Sequence, residues 1–267
     1  MQNTKLKIVA VIQARMESTR LPRKALKKIL GKTLIEWIYY RLSFCNKIDE
    51  IVLSTSINKE NDELVDLAEE IGLEYYRGSE MNLVSRLYET AKKFSADAIV
   101  RITGDCPLVD PRIVDNLVEK YLKDSKNIDY VCNVLPPTYP DGMDVEIISS
   151  EILEKLDKEV KDQLYREWIT TTIMENPERF KILNFPYKKN ISDLRLTVDY
   201  PEDFELTEKI FENLHQEGNS FYLEDILEFL KKNPELVKIN EKWADKGIAN
   251  NYRSAEFHRL KLKSNLM

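Results

Sequence analysis

The sequence predicts an α/β protein in which helices cover both faces of a mostly parallel sheet. Short apolar runs typical of buried strands recur along the chain, and segments with apolar residues at helical spacing separate them. This alternation favours parallel strands, because each helix carries the chain back to the edge of the sheet where the previous strand began. With 267 residues, the chain is long enough to bury the core of one large domain.

The first half of the chain follows this alternation closely. A strand is predicted over residues 7–12, and a helix begins after Thr33, where Glu36 completes a capping-box pattern. Residues 48–55 predict the second strand, residues 60–71 a helix that Gly72 closes, and residues 73–76 the third strand. A helix over residues 82–94 and a strand over residues 98–102 follow. Asp110 and Pro111 then mark the start of the next helix.

The middle of the chain departs from this rhythm. Residues 130–150 contain three prolines and the pair Asp141-Gly142, which indicate turns, before residues 144–148 resume as a strand. Residues 194–198 predict a further strand that ends at Asp199. From residue 221 the pattern is a helix, a break at Pro234 and a polar tail. We therefore expect a domain over residues 1–220 and a helical extension over residues 221–267 packed on it.

A basic loop without glycine follows the first strand. It carries Arg15, Arg20, Arg23 and Lys24, and the hydroxyl groups of Ser18 and Thr19 lie between them. Open α/β sheets bind ligands at the carboxyl ends of their strands, so this composition favours a polyphosphate ligand. The alternative is a solvated basic loop that leads into a helix.

Two aspartates follow other predicted strands. Asp105 lies in the turn Gly104-Asp105-Cys106-Pro107, and Asp199 follows residues 194–198. Mg²⁺ is often held by one or two carboxylates together with substrate phosphates, so these residues and the basic loop predict a metal–nucleotide site. Taken singly, each aspartate could instead be a helix cap or a turn residue.

Five segments in this order resemble one protein family. They are QARMESTRLPRK at 13–24, YRGSE at 76–80, RITGDCPL at 101–108, PPTYPDGMDVE at 136–146 and LTVDYPEDF at 196–204. The chain resembles the cytidylyltransferases of the spore-coat polysaccharide (SpsF) type over about residues 6–210 and, more distantly, CMP-Kdo and CMP-sialate synthetases. Five collinear motifs are more specific than any single one. The resemblance implies a nucleotide-diphospho-sugar transferase fold, a GT-A-like and Rossmann-like αβα sandwich with a mostly parallel mixed sheet.

The resemblance also implies an activity and a nucleotide site. Transfer of CMP from CTP to an acidic sugar or a similar anionic acceptor would release pyrophosphate, in the synthesis of a surface or spore-coat polysaccharide. Lys24, Arg15 and Asp105 match catalytic positions, and Asp105 and Asp199 match the acids that hold Mg²⁺. The implied nucleotide-binding residues are Gln13, Ala14, Arg15, Ser18, Thr19, Arg20, Lys24, Arg77, Arg86, Gly104 and Asp105. For Arg77, an ion pair with Glu74 or Glu80 is the structural alternative to a contact with the base.

The acceptor side is less determined by the motifs. Matching segments carry Tyr139, Asp141, Glu146, Arg166, Glu167 and Arg195. An acceptor carboxylate needs a cation, for which Arg166 and Arg195 are the candidates. Two positions depart from most relatives: Arg23 replaces a common glycine, as in part of the sialate branch, and Trp168 replaces a histidine. We expect Trp168 to be a core residue, because it lies at helical spacing from Leu164 and Thr172.

Composition argues against several other classes of protein. A net charge of −6 without a basic block argues against nucleic-acid binding. Three dispersed cysteines and the lack of a long apolar run predict a protein of the cytoplasm without a membrane span. His215 and His258 lie outside every motif, which argues against a histidine mechanism. The resemblance also implies a homodimer that forms through the segment at about 130–175, which would line the acceptor pocket as well.

Two other functions remain open on the sequence. A GT-A-type glycosyltransferase that uses a nucleotide sugar would share the fold, but no Asp-x-Asp motif follows a nucleotide-facing strand in this sequence, and the basic loop suits a triphosphate better than a diphosphosugar. A non-catalytic subunit that binds a nucleotide sugar would be expected to lose Lys24, Asp105 or Asp199, all of which are present.

Overall fold

The computed structural model describes residues 5–246 of the chain. Its strands are β1 (Ile8–Gln13), β2 (Lys28–Ile29), β3 (Lys32–Thr33), β4 (Glu50–Ser56), β5 (Glu74–Gly78), β6 (Ala98–Thr103), β7 (Tyr130–Cys132), β8 (Glu146–Ser149) and β9 (Ile182–Asn184). Its helices are α1 (Leu34–Leu42), α2 (Asp62–Glu70), α3 (Leu83–Lys93), α4 (Pro111–Lys123), α5 (Ser150–Glu159), α6 (Gln163–Glu167), α7 (Ile169–Met174), α8 (Pro201–Leu214) and α9 (Leu223–Lys232). Single 3₁₀ turns cover Lys24–Leu26, Lys59–Asn61, Leu236–Ile239 and Glu241–Lys246.

The main sheet within the described residues has seven strands in the order β5-β4-β1-β6-β8-β7-β9. Strands β5, β4, β1 and β6 run parallel to one another, whereas β8 is antiparallel to both of its neighbours and β9 is parallel to β7. Strands β2 and β3 form a separate small hairpin. The predicted mostly parallel mixed sheet is confirmed, and its parallel half begins with the strand that precedes the basic loop.

Strand β1 separates two hydrophobic cores. Ile8, Ala10 and Ile12 belong to the larger core, while Val9 and Val11 belong to the other. Successive side chains of a strand point to opposite faces of the sheet, so a run of five apolar residues supplies both cores. This burial fixes the strand and therefore the origin of the loop that follows it.

Two predicted helix starts occur where the sequence placed them. The Thr33 side chain accepts a hydrogen bond from the Glu36 backbone at 3.2 Å, and the Glu36 carboxylate accepts one from the Thr33 backbone at 2.6 Å. Asp110 caps α4 through the Arg112 N–H and also accepts the Leu223 N–H, each at 2.7 Å. The second bond ties the start of α9 to the domain.

The strand predicted over residues 194–198 was wrong. The segment is irregular, with one isolated bridge between Arg195 and Asp141. Its backbone bonds go to loops: the Leu196 N–H donates to Asp141 at 2.7 Å, and the Val198 N–H donates to Asp105 at 2.8 Å. Pairing with two turns in succession prevents a regular ladder, yet it brings Asp199 close to Asp105.

The segment proposed for a dimer contact is largely internal. Tyr139, Met143 and Ile169 are buried within the protomer, and Trp168 is 54% exposed. These buried side chains cannot supply an apolar surface for a dimer contact, so the homodimer stays a prediction. None of the helices within residues 5–246 combines the length and apolar character that a membrane span requires. His258 and the last residues of the predicted extension lie outside the described residues.

Candidate active site

A cavity of about 470 Å³ opens at the carboxyl ends of β1 and β6. Its lining residues are Gln13, Ala14, Arg15, Glu17, Ser18, Thr19, Arg20, Lys24, Ala25, Arg86, Thr103, Gly104, Asp105, Trp168 and Asp199. Four cations and three carboxylates therefore face one space. The structure brings together most of the nucleotide-binding residues that the motifs imply, and it adds Trp168.

Close backbone contact joins the loops after β1 and β6. The Gly104 N–H donates to the Gln13 carbonyl at 2.8 Å, and a Cβ atom at Gly104 would lie 2.7 Å from the Ala14 Cβ. Only glycine allows the two loops to approach so closely. The glycine in the sequence RITGDCPL thus sets Asp105 beside the basic loop.

Lys24 links the three loops that form the site. Its Nζ lies 2.8 Å from Asp105 Oδ2, 2.8 Å from Asp199 Oδ1 and 3.0 Å from the Val198 carbonyl oxygen. Burial lowers the pKa of Lys24, but the carboxylates of Asp105 and Asp199 outweigh burial and raise it. Lys24 is therefore a fixed positive charge in the cavity at neutral pH.

Asp105 is an ionised carboxylate paired with Lys24. Burial disfavours its charge, yet the ion pair and hydrogen bond from Lys24 hold its pKa below the ordinary value, with help from Thr103. The Asp105 carbonyl also accepts the Thr197 hydroxyl at 3.2 Å. These contacts fix the carboxylate in the deprotonated form that a metal ligand requires.

Asp199 forms ion pairs with three cations. Its Oδ1 lies 2.7 Å from Arg20 Nη2 as well as near Lys24, and its Oδ2 lies 3.1 Å from Arg195 Nη2. Oδ1 faces residues of the cavity, whereas Oδ2 is held by Arg195, whose side chain is 2% exposed. The two oxygens thus differ: Oδ1 contacts cations of the cavity wall and Oδ2 is anchored to the buried Arg195.

The pair Asp105 and Asp199 suits a divalent cation. Oxygens of both carboxylates lie 2.8 Å from the same ammonium group, so they converge on one positive charge. Among the described residues no group of three or more histidine, cysteine or acidic side chains forms a metal site. This donor set matches Mg²⁺ that takes its remaining ligands from phosphates and water, rather than a metal enclosed by protein ligands.

Of the basic-loop cations that line the cavity, Arg15 and Arg20 are more exposed than Lys24. Arg15 donates to Glu80 at 3.0 Å and lies 3.8 Å from Glu167, with 41% of its side chain exposed. Arg20 is 48% exposed and also lies 5.2 Å from the centre of the Tyr200 ring. Both guanidinium groups can turn toward an anion in the cavity, because neither is enclosed by its partners. The Ser18 hydroxyl accepts the Leu21 N–H at 3.3 Å and shapes the loop.

The two arginines proposed for the base differ in position. Arg86 lines the cavity, donates through Nη1 to the Ser79 carbonyl at 2.8 Å and has a buried Nε without a hydrogen-bond partner. Burial lowers the pKa of Arg86 to about 10. Arg77 instead donates to the carbonyls of Ser56 and Asn58 and pairs with Asp62 at 2.7 Å. Arg77 thus serves local structure, although its partner is Asp62 rather than Glu74 or Glu80.

Several residues proposed for the acceptor are occupied by internal contacts. Tyr139 packs on Tyr187 in the core with ring centres 5.0 Å apart. Glu146 accepts the hydroxyls of Tyr130 at 2.5 Å and Thr170 at 2.6 Å, and it pairs with Arg101. Neither Tyr139 nor Glu146 lines the cavity. Glu167 contacts the cavity wall through Arg15, at 3.8 Å.

The two cations proposed for an acceptor carboxylate are not free to bind one. Arg166 pairs with Asp157 and donates to the Asp157 and Val160 carbonyls. Arg195 binds Asp141 at 2.7 Å and Asp203 at 3.0 Å in addition to Asp199. Arg195 neutralises acids of the protein itself, because three buried carboxylates without a cation would be costly. Burial nevertheless raises the pKa of Asp141 to about 7.

Trp168 was expected in the core and lies at the cavity instead. It caps the start of α7 with a φ of −111°, so α6 and α7 are separate helices and the assumed helical spacing from Leu164 does not apply. Its indole lines the cavity and is 54% exposed. The departure from the histidine of most relatives is the sequence signal that could have placed Trp168 at the site.

A sequence model of the cytidylyltransferases matches residues 9–232 of the chain. The chain belongs to the cytidylyltransferase family. The match includes every residue of the cavity wall, so the cations and carboxylates described above lie within the family's own domain.

Three similar proteins illustrate this family membership. The uncharacterized protein MJ1063 of Methanocaldococcus jannaschii is 36% identical over 255 residues, which are 94% of this chain and all of that protein. The spore coat polysaccharide biosynthesis protein SpsF of Bacillus subtilis is 27% identical over 88% of this chain and 98% of its own length. The structure of a cytidylyltransferase from Leptospira borgpetersenii is 34% identical and has a TM-score of 0.83 over 87% of this chain and 97% of that one. The predicted nucleotide-diphospho-sugar transferase type of fold is thereby confirmed.

The predicted relation to the Kdo enzymes is confirmed over a smaller region. The 3-deoxy-manno-octulosonate cytidylyltransferase of Geobacter metallireducens is 30% identical over 122 residues, which are 45% of this chain and 46% of that enzyme. The resemblance to the spore-coat type is thus the more extensive one.

Proposed function

We propose that this cytidylyltransferase transfers the CMP group of CTP to a hydroxyl of an anionic, sugar-like acceptor. The supporting observation is the convergence of Lys24, Asp105 and Asp199, from three separate loops, at one wall of the cavity. A triphosphate bound there would meet a fixed ammonium charge, two flexible guanidinium groups and two carboxylates placed for a metal ion. Phosphoryl-type transfer depends mainly on this kind of positioning and charge neutralisation.

The reaction balances without a covalent enzyme intermediate. The acceptor oxygen forms a bond to the α-phosphorus, the bond from that phosphorus to the bridging oxygen breaks, and pyrophosphate leaves with those electrons. The acceptor hydroxyl proton passes to water. His215 does not serve as a base, because its ring packs on Trp37 and Tyr40, with centres 4.7 Å and 5.8 Å away.

The residues of the basic loop have distinct tasks in this reaction. Lys24 offers a point charge to the oxygens on which negative charge develops, and it holds Asp105 and Asp199 in position until substrate binds. Arg15 and Arg20 offer paired N–H donors that match phosphate oxygens. When bound, Mg²⁺ held by Asp105 and Asp199 would neutralise phosphate charge and lower the pKa of the acceptor hydroxyl.

The cytosine base is assigned to the Arg86 end of the cavity. The unpartnered Nε of Arg86 is a donor, and cytosine O2 and N3 are acceptors. A buried donor without a partner is unusual. Because the Nε has almost no accessible surface, Arg86 must turn toward the cavity for a base acceptor to satisfy it. Uracil has the same O2 acceptor but presents an N–H at N3, so this donor disfavours UTP when it is directed at the N3 position.

The acceptor is assigned to the part of the cavity near Trp168. Its exposed indole offers an apolar face beside polar groups, which suits the C–H face of a sugar ring. Glu167, which precedes Trp168, also lies at this end of the cavity, 3.8 Å from Arg15. The SpsF relative is a spore coat polysaccharide biosynthesis protein, which supports a product that serves polysaccharide biosynthesis.

The decisive experiment incubates purified protein with each of the four NTPs, Mg²⁺ and a panel of acidic sugars that includes Kdo and N-acetylneuraminic acid. Pyrophosphate release that requires CTP and one acceptor supports the proposal. Transfer from a nucleotide sugar without pyrophosphate release would support a glycosyltransferase instead. Tight binding of a nucleotide sugar without turnover for any donor would indicate the non-catalytic subunit.

A further inference from the structure

The described chain continues beyond the family match, which ends at residue 232. Residues 236–246 form two 3₁₀ turns, Leu236–Ile239 and Glu241–Lys246, and they return to the first turn of α8. Asp199 lies two residues before the start of α8, so residues 236–246 pack beside the backbone of the carboxylate assigned to the metal. Two of these residues make specific contacts there.

Asn240 is the first of these residues. It is 2% exposed, and its Nδ2 donates to Asp203 Oδ1 at 2.8 Å and to the Arg195 carbonyl oxygen at 3.0 Å. Both amide hydrogens are therefore used, one on a buried carboxylate and one on the backbone of the residue that binds it.

The contacts of Asn240 lead to Asp199 through two routes. Asp203 Oδ2 accepts the Asp199 backbone N–H at 3.0 Å, which fixes the chain at the metal carboxylate. Arg195 lies between Asp203 and Asp199, with its Nη2 3.1 Å from an oxygen of each. Asn240 thus supports the groups that anchor Asp199 Oδ2 and leave Asp199 Oδ1 directed toward the cavity.

Trp243 supplies a second, independent link. Its ring stacks on Tyr200 with centres 3.7 Å apart and planes 4° from parallel, and its Nε1 donates to Glu202 at 3.0 Å. The Arg20 guanidinium lies 5.2 Å from the centre of the same Tyr200 ring. Residues 236–246 therefore also contact, through Tyr200, a cation of the basic loop.

We infer that Asn240 and Trp243 are positioning residues for the metal–triphosphate site, although the cytidylyltransferase family match does not include them. Asn240 sets the orientation of the Asp199 carboxylate, and Trp243 holds Tyr200, and with it Arg20, against the same wall. A neutral amide suits this place, because Arg195 already balances part of the charge of three carboxylates. Groups that hold a metal ligand in place are commonly needed for full metal affinity. This inference rests on the proposed function, since it assumes a metal-bound nucleotide at Asp199.

The test measures binding of Mn²⁺ in the presence of CTP by electron paramagnetic resonance, and binding of CMP without metal by calorimetry. For Asn240→Ala we expect the dissociation constant of Mn²⁺ to rise about ten-fold, with CMP affinity unchanged. Trp243→Phe keeps the stacked ring and should retain affinity for Mn²⁺, whereas Trp243→Ala should weaken it. Asn233→Ala is the matched control, because Asn233 Nδ2 donates to the Phe229 carbonyl and does not contact the Asp199 network.

The outcomes separate the two proposals. If the wild-type protein binds neither CTP nor Mn²⁺ with CTP, the proposed function fails and the positioning roles fail with it. If the wild-type protein binds both and Asn240→Ala binds Mn²⁺ equally well, only the positioning roles are overturned, even when that variant is less stable to heat. A loss of Mn²⁺ affinity in Asn233→Ala equal to that in Asn240→Ala would also overturn them, since it would show a general effect of destabilisation.

Discussion

Lys24 Nζ lies 2.8 Å from Asp105 Oδ2, although 81 positions separate the two residues in the sequence. The contact joins the loop after β1 to the turn after β6, two neighbouring strands of the sheet. The same ammonium group binds Asp199, so the cation occupies the place where the two carboxylates meet. A nucleotide that binds with a metal ion must therefore change the partners of Lys24, because an ammonium and a divalent cation compete for the same oxygens.

Replacement of Lys24 tests its role in transfer. Lys24→Ala should lower kcat more than it raises KM, with a total loss of about 2–4 kcal/mol, the scale of one preorganised donor. Lys24→Arg should recover only part, because a planar guanidinium places its donors differently. CMP binding should hardly change, since CMP has no β- or γ-phosphate. Equal losses of CMP and CTP affinity in calorimetry would instead assign Lys24 to the fold or the base pocket.

The two acids are tested by isosteric amides. Asp105→Asn and Asp199→Asn should each remove most Mg²⁺-dependent turnover while circular dichroism remains native, because an amide oxygen is a weaker ligand than a carboxylate. Glu17→Gln is the control, since Glu17 lines the same cavity and is not assigned to the metal. Near-native turnover in either aspartate variant would remove that residue from the metal site.

Nucleotide choice follows from the donor at Arg86. CTP should bind at least ten-fold more tightly than ATP, GTP or UTP, which is about 1.4 kcal/mol. Arg86→Met should reduce the ratio of CTP to UTP affinity, because the unpartnered Nε donor is lost. Arg77→Met should leave the ratio unchanged, as its guanidinium binds Ser56, Asn58 and Asp62. Calorimetry that shows equal binding of all four nucleotides to the wild-type protein would contradict the cytidylyl assignment.

The depressed pKa of Asp105 predicts a pH dependence of stability. A carboxyl whose pKa is lower in the folded state than the ordinary 3.8 stabilises the fold above that ordinary value, and this contribution is lost as pH falls through the folded pKa. The difference in unfolding free energy between wild type and Asp105→Asn should therefore shrink below about pH 4, by at most about 1.4 kcal/mol per pH unit. Urea unfolding from pH 7 to pH 3 measures it. A difference that stays constant over this range would show that Asp105 ionisation is not coupled to folding.

Gly142 tests the contact between the turn at Asp141 and the segment that carries Asp199. Its φ is +101°, and a Cβ there would lie 2.4 Å from the Thr197 backbone nitrogen. Gly218 is the control, with a φ of +76° and no atom within 4 Å of the added Cβ. Gly218→Ala should cost about 1 kcal/mol of stability from backbone strain, and Gly142→Ala about 3 kcal/mol or more, with loss of turnover. Equal costs in thermal unfolding would show that the close approach at Gly142 is not required.

The residues that could be predicted from the sequence are those whose position follows from a single strand end. Gly104 and Asp105 lie in the turn directly after β6, and Lys24 ends the basic loop after β1. Parallel strands deliver such connections to one edge of a sheet. The charged residues after these strands, together with the expected parallel sheet, were therefore sufficient to predict one shared site. The capping residues Thr33 and Asp110 could be predicted for the same reason, since each acts within a few positions of itself.

The residues that could not be predicted depend on contacts distant in sequence. Arg195 pairs with Asp141, 54 positions away, and Asn240 reaches Asp203 across 37 positions. Nothing near Arg195 in the sequence distinguishes an arginine that binds protein carboxylates from one that binds a substrate. The core position predicted for Trp168 was wrong for a local reason. The chain leaves helical geometry at that residue, so its side chain does not lie on the helix face that the periodicity assumed.

The absence of glycine from the basic loop affects how the free energy of CTP binding is divided between enthalpy and entropy. A glycine-rich phosphate loop offers backbone N–H groups that are already in place, whereas this loop offers the long side chains of Arg15 and Arg20, which are 41% and 48% exposed. Ordering each such side chain costs about 1–2 kcal/mol of rotamer entropy. Triphosphate binding here is therefore expected to be driven by enthalpy and opposed by entropy. Substitutions that hold either arginine in its bound rotamer would tighten CTP binding without adding a contact.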